Sequence, residues 1–363
     1  MTILIIGYMH PKYDKRVLRT VKALSKENKV IYQYWTNNDE TEYEESNVTY
    51  IPIKYTKNIQ ANPMIKLKNR RKLDKKIVNM IKNYDYDILY MHHFLASRPL
   101  EPFKIAKKRN KKIIYDIHEY HPENFLNNLS GIKKQIKEKA LWKIFEKQLI
   151  LSDKLVFVST DMQKDVYQKL NIHNDYFIQK NYAEISVEKK EIIKEISFVG
   201  KINRNLDDEK EILKKLIQKG FKFKIIGMES EYFKDIPHEH TNFLPYEDMM
   251  KELSKSAFSL ISFNTIKNRE YKNDIFSLPN KYYDSIASET PVIVKNTFIS
   301  MAKEVEKYNI GVVINPKKVE ESVDKIIKAY ENYDELLENI RKYKHEFIWT
   351  EKKEKEFVNF VLS

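Results

Sequence analysis

Ile196-Ser197-Phe198-Val199-Gly200 (ISFVG) returns, in the second half of the chain, to the device used at the start by Ile3-Leu4-Ile5-Ile6-Gly7 (ILIIG). Each is a short apolar run closed by glycine, the pattern of a strand buried on both faces and ending at a turn. The first run alone would open one α/β domain; its return at residue 196 predicts a second. Around the first, Thr2–Tyr8, Lys29–Trp35, Val48–Ile53, Asp87–Met91, Lys112–Ile117 and Lys154–Ser159 read as strands, with helices at Arg16–Ser25, Lys72–Asn83, Pro102–Arg109 and Ile132–Leu151. Tyr176–Gln179 is one more short strand, and Glu184–Lys194 reads as a polar linker. After Ile196 come strands at Phe223–Gly227, Phe258–Phe263, Val292–Lys295 and Gly311–Ile314. Helices are expected at Lys210–Lys219, Tyr246–Ser254, Lys281–Ser288 and Thr350–Leu362, the last with Thr350 as its N-cap. Alternating helices and buried strands predict parallel, doubly wound sheets. The expected domains are 1–183 and 184–345, with a C-terminal helix at 346–363. Ligands of such sheets bind beyond the carboxyl ends of the strands, but the fold does not name the chemistry.

The 363 residues suffice for two cores, and 42% hydrophobic with 32% charged residues is a globular composition. Cysteine is absent, which excludes disulfides and thiolate metal sites and accords with a reducing compartment. No window approaches the roughly 20 apolar residues of a membrane span. Strand-like sequence starts at Ile3 with no basic and apolar leader before it, so a cytoplasmic protein is expected. The net charge of +13 is unevenly held. Residues 1–180 carry 34 Lys and Arg against 20 Asp and Glu, a net of +14; the rest carry 31 against 32, a net of −1. Such asymmetry points the N-terminal half toward an anionic partner.

The most informative stretch is Leu278-Pro279-Asn280-Lys281-Tyr282-Tyr283-Asp284. Pro279 sets a helix entry, the unpaired N–H groups there favour phosphate, and Lys281 adds a full charge. Asn280 can bond a sugar or ribose hydroxyl, and Asp284 lies one turn further on the same face. The residues alone read equally well as a capped helix with solvated polar side chains.

In order along the chain, Asp14-Lys15-Arg16-Val17, Tyr115-Asp116-Ile117-His118-Glu119, Phe198-Val199-Gly200-Lys201 and Pro279-Asn280-Lys281-Tyr282-Tyr283-Asp284, followed by Pro291-Val292-Ile293, resemble motifs of glycosyltransferase family 4. The resemblance runs from about residue 2 to Trp349. It implies a GT-B fold: two Rossmann-like doubly wound domains facing each other across a cleft, with the C-terminal helix crossing back to the first. It implies a retaining transferase that moves sugar from a nucleoside-diphosphate sugar (UDP-, GDP- or dTDP-linked) to a glycan or lipid-linked acceptor in bacterial surface polysaccharide, capsule or glycolipid synthesis. No metal and no further cofactor is implied. By position, Gly200, Lys201, Arg204, Tyr246, Leu278, Pro279, Asn280, Lys281 and Asp284 would hold the donor, with the cations neutralising its diphosphate. His118 would lie near the transferred sugar and Glu119 near the acceptor as the catalytic pair. His10, Asp14, Arg16 and His92 would line the acceptor side. Three departures stand out, one being that the family's glycine-rich N-terminal loop is reduced to Gly7-Tyr8-Met9-His10-Pro11. Phe276 replaces the first of the family's two acids, and Lys201 stands where arginine is usual, which loses the two-pronged geometry.

Other readings remain for several of these residues. Tyr246 reads equally as a surface aromatic at a helix start, and His118 as a hydrogen-bonded strand-end residue. His118, His121, Glu119 and Glu123 could be metal ligands, although not at metalloprotease spacing. The lysines at 133, 134, 137, 139, 143 and 147 oppose an apolar stripe through Ile132, Ile136, Ala140, Ile144, Phe145 and Leu149. That helix either packs on its own domain or meets anionic lipid on the inner membrane face. No nucleic-acid module is recognisable. The rival functions are a sugar-nucleotide epimerase of similar two-domain build and a non-catalytic family member that binds a partner.

Overall fold

The alternation of apolar runs and amphipathic segments is realised as two separate sheets. The computed structural model describes residues 1–55, 62–92, 97–120, 122, 126, 130–201, 206–229, 231–263 and 271–363. Two compact units result: residues 1–179 with 354–363, and residues 180–353.

The first unit follows the order β1 (Thr2–Pro11), α1 (Lys15–Ser25), β2 (Lys29–Thr36), β3 (Tyr43–Glu45), β4 (Val48–Lys54), α2 (Pro63–Asn83), β5 (Ile88–His92), α3 (Glu101–Lys108), β6 (Lys112–Ile117), α4 (Gly131–Leu151), β7 (Lys154–Phe157), α5 (Thr160–Leu170) and β8 (Asp175–Ile178). Among the described residues its sheet runs β3-β4-β2-β1-β5-β6-β7-β8, parallel except for β3 against β4. Ile3 to Ile6 are wholly buried, as the unbroken apolar run requires. The strand order reverses at β1 and β5, so their carboxyl ends form the switch point where ligands of such sheets bind. Just beyond Gly7, Tyr8 takes a left-handed φ of +54°, which costs a non-glycine residue. Gln33 holds it there, accepting from the Tyr8 N–H (2.8 Å) and donating to its carbonyl (3.2 Å).

The second unit continues with β9 (Ile193–Gly200), α6 (Asp207–Gln218), β10 (Lys222–Gly227), β11 (Glu239–Thr241), α7 (Tyr246–Leu253), β12 (Ser256–Ile261), α8 (Lys272–Phe276), α9 (Asn280–Ala287), β13 (Val292–Lys295), α10 (Ile299–Tyr308), β14 (Gly311–Ile314), α11 (Val319–Glu331) and α12 (Tyr333–Tyr343). Its sheet is β11-β10-β9-β12-β13-β14, all parallel among the described residues. The switch point lies between β9 and β12. The stretch Glu184–Lys194, read from composition as a linker, packs into this unit and ends inside β9: the Val187 N–H bonds the Ala287 carbonyl (2.9 Å) and the Lys189 N–H bonds Glu289 (3.2 Å).

The last helix, α13 (Glu351–Leu362), belongs from Glu354 onward to the first unit. Phe357 is fully buried beside Tyr90 and Phe177, and Phe360 packs on Phe177. Its carbonyl end is held by lysines: Lys112 donates to Val361 O (3.0 Å) and Lys154 to Phe360 O (2.6 Å) and the Ser363 hydroxyl (2.7 Å). Cations at a helix C-terminus satisfy orphan carbonyls and meet the negative end of the dipole.

Candidate functional site

At the switch point of the second sheet, Phe198, Gly200, Ser262, Glu209, Lys295 and the start of α9 come together. Gly200 has φ +109°, a conformation side chains rarely adopt, while the space beside its Cα is open. Lys201 next to it is exposed, and Arg204 lies outside the described residues. The helix begins at Asn280, one residue earlier than its sequence pattern suggested, because Pro279 in extended conformation acts as its N-cap. Asn280 is exposed and Leu278 buried, the Leu278 carbonyl accepting from Asn181 Nδ2 (2.8 Å). Lys281 turns its ammonium inward. It donates to the Ser262 carbonyl (2.6 Å) and sits 4.1 Å over the Phe198 ring. Burial pulls it down to about 7, against the upward pull of Glu209.

Glu209 is itself buried, paired to Lys295 (2.8 Å) and accepting from the Ser262 hydroxyl. Sequence reading missed this triad. The available signals were a lysine ending the apolar run Val292–Lys295 and an acid in the first turn of α6. Asp284, expected to face ribose, is buried at 5% exposure and accepts from the Tyr246 hydroxyl (2.7 Å). That hydroxyl also accepts from the Glu184 N–H (3.2 Å). Burial and then the Asp284 charge push Tyr246 well above the ordinary tyrosine range. Phe276, in place of an acid, is buried.

The switch point of the first sheet gathers histidines around a buried acid. Asp116 is wholly buried, and its Oδ1 accepts from Arg16 Nη2 (2.6 Å) and Nε (3.2 Å). Arg16 Nη1 donates to the Gln179 carbonyl. Tyr90 donates to Asp116 Oδ2 (3.0 Å), which also lies 3.4 Å from His92 Nδ1. His92 Nδ1 is 2.9 Å from His118 Nε2, and the His118 and His10 rings are 4.7 Å apart. His10 bonds Asp14 (3.0 Å), whose other oxygen caps α1 through the Val17 N–H (3.1 Å).

Burial would raise both acids. The Arg16 charge holds Asp116 well below the usual carboxylate range, and the hydrogen bond from His10 does the same for Asp14. Burial holds His92 and His118 below the usual histidine range despite Asp116. Both are therefore neutral near pH 7.

Arg16 (4% exposed) and His92 (0%) were expected to touch an acceptor. Both are instead turned to interior partners here, Arg16 to Asp116 and His92 to His118. His10, Asp14 and His118 keep partial exposure, and Glu119 is exposed. His121 and Glu123, weighed as metal ligands, lie outside the described residues. Among the described residues, His92, Asp116 and His118 offer three ligand atoms within 4.8 Å of one another. The Arg16 guanidinium already neutralises Asp116, and its charge opposes a dication there.

No protein-family model matches the sequence, and no curated protein matches it. Solved structures do. Sucrose-phosphate synthase from Thermosynechococcus elongatus superposes with a TM-score of 0.69 at 10% identity, over 99% of this chain and 98% of that one. WaaG, a glycosyltransferase involved in lipopolysaccharide biosynthesis, gives 0.65 at 10%, over 99% of both chains. The trehalose-6-phosphate structure from E. coli bound with UDP-2-fluoro glucose gives 0.63 at 12%, again over 99% of both. At such identities the likeness speaks for the fold, and with the two switch-point sheets it makes this a GT-B chain along essentially its whole length.

Proposed function

We propose that the chain is a nucleotide-sugar-dependent glycosyltransferase of family 4 type, which moves sugar from a nucleoside-diphosphate donor to a glycan or lipid-linked acceptor with retention. The supporting observation is Lys281 at the helix start beyond the β9/β12 switch point, on a chain whose full-length structural neighbours include sugar transferases. The N-terminus of α9 and Lys281 would take the diphosphate, with Lys201 and Arg204 adding charge. Departure of a nucleoside diphosphate develops negative charge, which these groups stabilise without requiring a metal. In the first unit, His118 and Glu119 would address the transferred sugar and the acceptor hydroxyl, with His10 and Asp14 beside them. A bacterial surface polysaccharide or glycolipid is the acceptor class we favour.

An anionic membrane surface is part of the same reading. Among the described residues no helix is long and apolar enough to cross a membrane. Two helices of the first unit instead combine exposed apolar residues with lysines: Met64, Ile65 and Leu67 on α2, and Ile132 and Ile136 on α4.

The test is a thermal-shift screen of UDP, GDP, dTDP and their sugars with the wild-type protein and Lys281→Ala. Selective stabilisation by one nucleotide, lost in the variant, is expected. No nucleotide response, or an unchanged response in the variant, would overturn the reading. Product analysis separates transfer from epimerisation, since only transfer consumes an acceptor.

A further inference from the structure

Two lysines of the second unit stand near one buried carboxylate. Glu209 is 2% exposed and Ser262 is wholly buried. One oxygen of Glu209 accepts from both Lys295 Nζ (2.8 Å) and the Ser262 hydroxyl. The Ser262 carbonyl accepts from Lys281 Nζ (2.6 Å). Ser262 thus meets the acid through its side chain and Lys281 through its backbone. A buried carboxylate needs a close cation, and here Lys295 is that cation. A second contact helps to hold it, with its ammonium 4.8 Å from the centre of the Phe298 ring. Phe298 in turn stacks on Phe263 at 4.5 Å. Among the described residues, Lys281 makes its contacts with neutral groups: the carbonyl, the Phe198 ring at 4.1 Å and the Phe263 ring at 6.0 Å. With Lys281 protonated, the cluster carries two positive charges against one negative, and the surplus sits on Lys281.

We infer that Lys295 is a positioning residue: by engaging Glu209 it keeps that carboxylate from taking Lys281 as its partner, and so leaves Lys281 available to an anionic ligand. The inference rests on the reading above, in which Lys281 takes the donor diphosphate. An exchange of partners is the event that Lys295 prevents. Glu209 already pulls on the Lys281 charge. Without Lys295 the carboxylate would be buried and uncompensated, a strongly unfavourable state. Lys281 would then be drawn to it by a charge-assisted hydrogen bond. A lysine paired in that way has little charge left to offer a phosphate. The charged groups of the cluster are Glu209 on α6 and Lys295 on β13. The other elements, β9 and the segment after β12, present rings and the Ser262 carbonyl to Lys281.

The titration of Lys281 reads this exchange without any nucleotide. In 1H–13C spectra of lysine-labelled protein, its signals are assigned by their loss in Lys281→Arg, and in the wild type they should titrate with a midpoint at about pH 7. Lys295→Met should raise that midpoint by about 1–3 units, since Lys281 gains a carboxylate. Loss of a like charge would raise it too, so the deciding comparison is made with Glu209→Gln already present. In that background Lys295→Met should leave the midpoint nearly unchanged. A rise that persists there, or no rise with Glu209 in place, would overturn the inference. Lys295→Arg should keep the wild-type midpoint. Calorimetry with UDP, GDP or dTDP, whichever stabilises the wild type, supplies the second arm. Lys295→Met should weaken binding by about ten- to a hundredfold, as for loss of one charged contact. Adding Glu209→Gln should recover most of that loss. Equal affinity in Lys295→Met and wild type would reject the role. If Lys295→Met fails to fold, Glu209→Gln alone should lower the Lys281 midpoint, and an unmoved midpoint would reject the inference. If the wild type binds no nucleotide, the transferase reading falls while the titrations still decide which lysine Glu209 holds.

Discussion

Lys281 shows most plainly how one side chain answers to its surroundings. An ammonium that bonds a carbonyl and an aromatic face, away from water, holds its proton only to about pH 7. A phosphate placed beside it would restore the charge. Above pH 7 the free protein must therefore take up a proton to bind, and the sign follows: affinity is level below about 7 and falls as pH rises, by up to about tenfold per unit. Calorimetry in buffers of different ionisation enthalpy should detect uptake of up to one proton per nucleotide at pH 8, and none in Lys281→Met. A pH-independent affinity between 7 and 9 would contradict this account. Arg16 makes the opposite case, a permanent charge answering a buried carboxylate. Arg16→Met would leave Asp116 buried and uncompensated. It should cost about 3–5 kcal/mol in urea unfolding; a loss below about 1 kcal/mol would mean that Tyr90 and the histidines suffice.

Among the elements, α13 is the one whose place is least local. Its sequence reads as an amphipathic helix with Thr350 at its start, and the Lys353 N–H does meet the Thr350 hydroxyl (3.4 Å). Where it docks is decided by Lys112 and Lys154, which stand at the amino ends of β6 and β7 and cap its final carbonyls. Lys154→Met removes two of these bonds and should cost about 1–2 kcal/mol. The checkable consequence is faster proteolysis near the C-terminus, with near-native secondary structure by circular dichroism. Unchanged proteolysis would show that Phe357 and Phe360 dock the helix by themselves. Elements α10 to α12 were not legible as separate helices, because the nearest breakers, Gly311 and Pro316, stand a few residues beyond the helix ends and α11 runs into α12 with neither; Asn309, in left-handed conformation, closes α10.

At the scale of the whole molecule, the excess charge lies in residues 1–180. On α2, eight Lys and Arg accompany one acid, Asp74, which is buried. If these helices meet anionic lipid, each basic residue near the surface contributes about 1 kcal/mol, weakened by salt. Flotation with vesicles rich in phosphatidylglycerol should exceed that with neutral vesicles and fall between 50 and 300 mM salt, conditions set on the order of the Debye lengths involved. Replacing Lys68, Arg71 and Lys75 by Glu should abolish it, while flotation indifferent to lipid charge would remove the membrane from the reading.

The two doubly wound sheets were readable in the sequence, because strand burial and strand-end glycines are local patterns: ILIIG and ISFVG announce themselves within five residues. The residues beyond the strand ends were readable as candidates for the same reason. Their roles were not. Arg16 meets Asp116 across 100 positions of sequence, and Glu209 meets Lys295 across 86. Whether a polar side chain faces water or a buried partner depends on which strands become neighbours, and no local pattern encodes that. The tertiary structure alone therefore turned Arg16 to Asp116, His92 to His118 and Asp284 to Tyr246, and set Lys281 over Phe198, since charge pairing and desolvation are settled only when distant segments exclude water together.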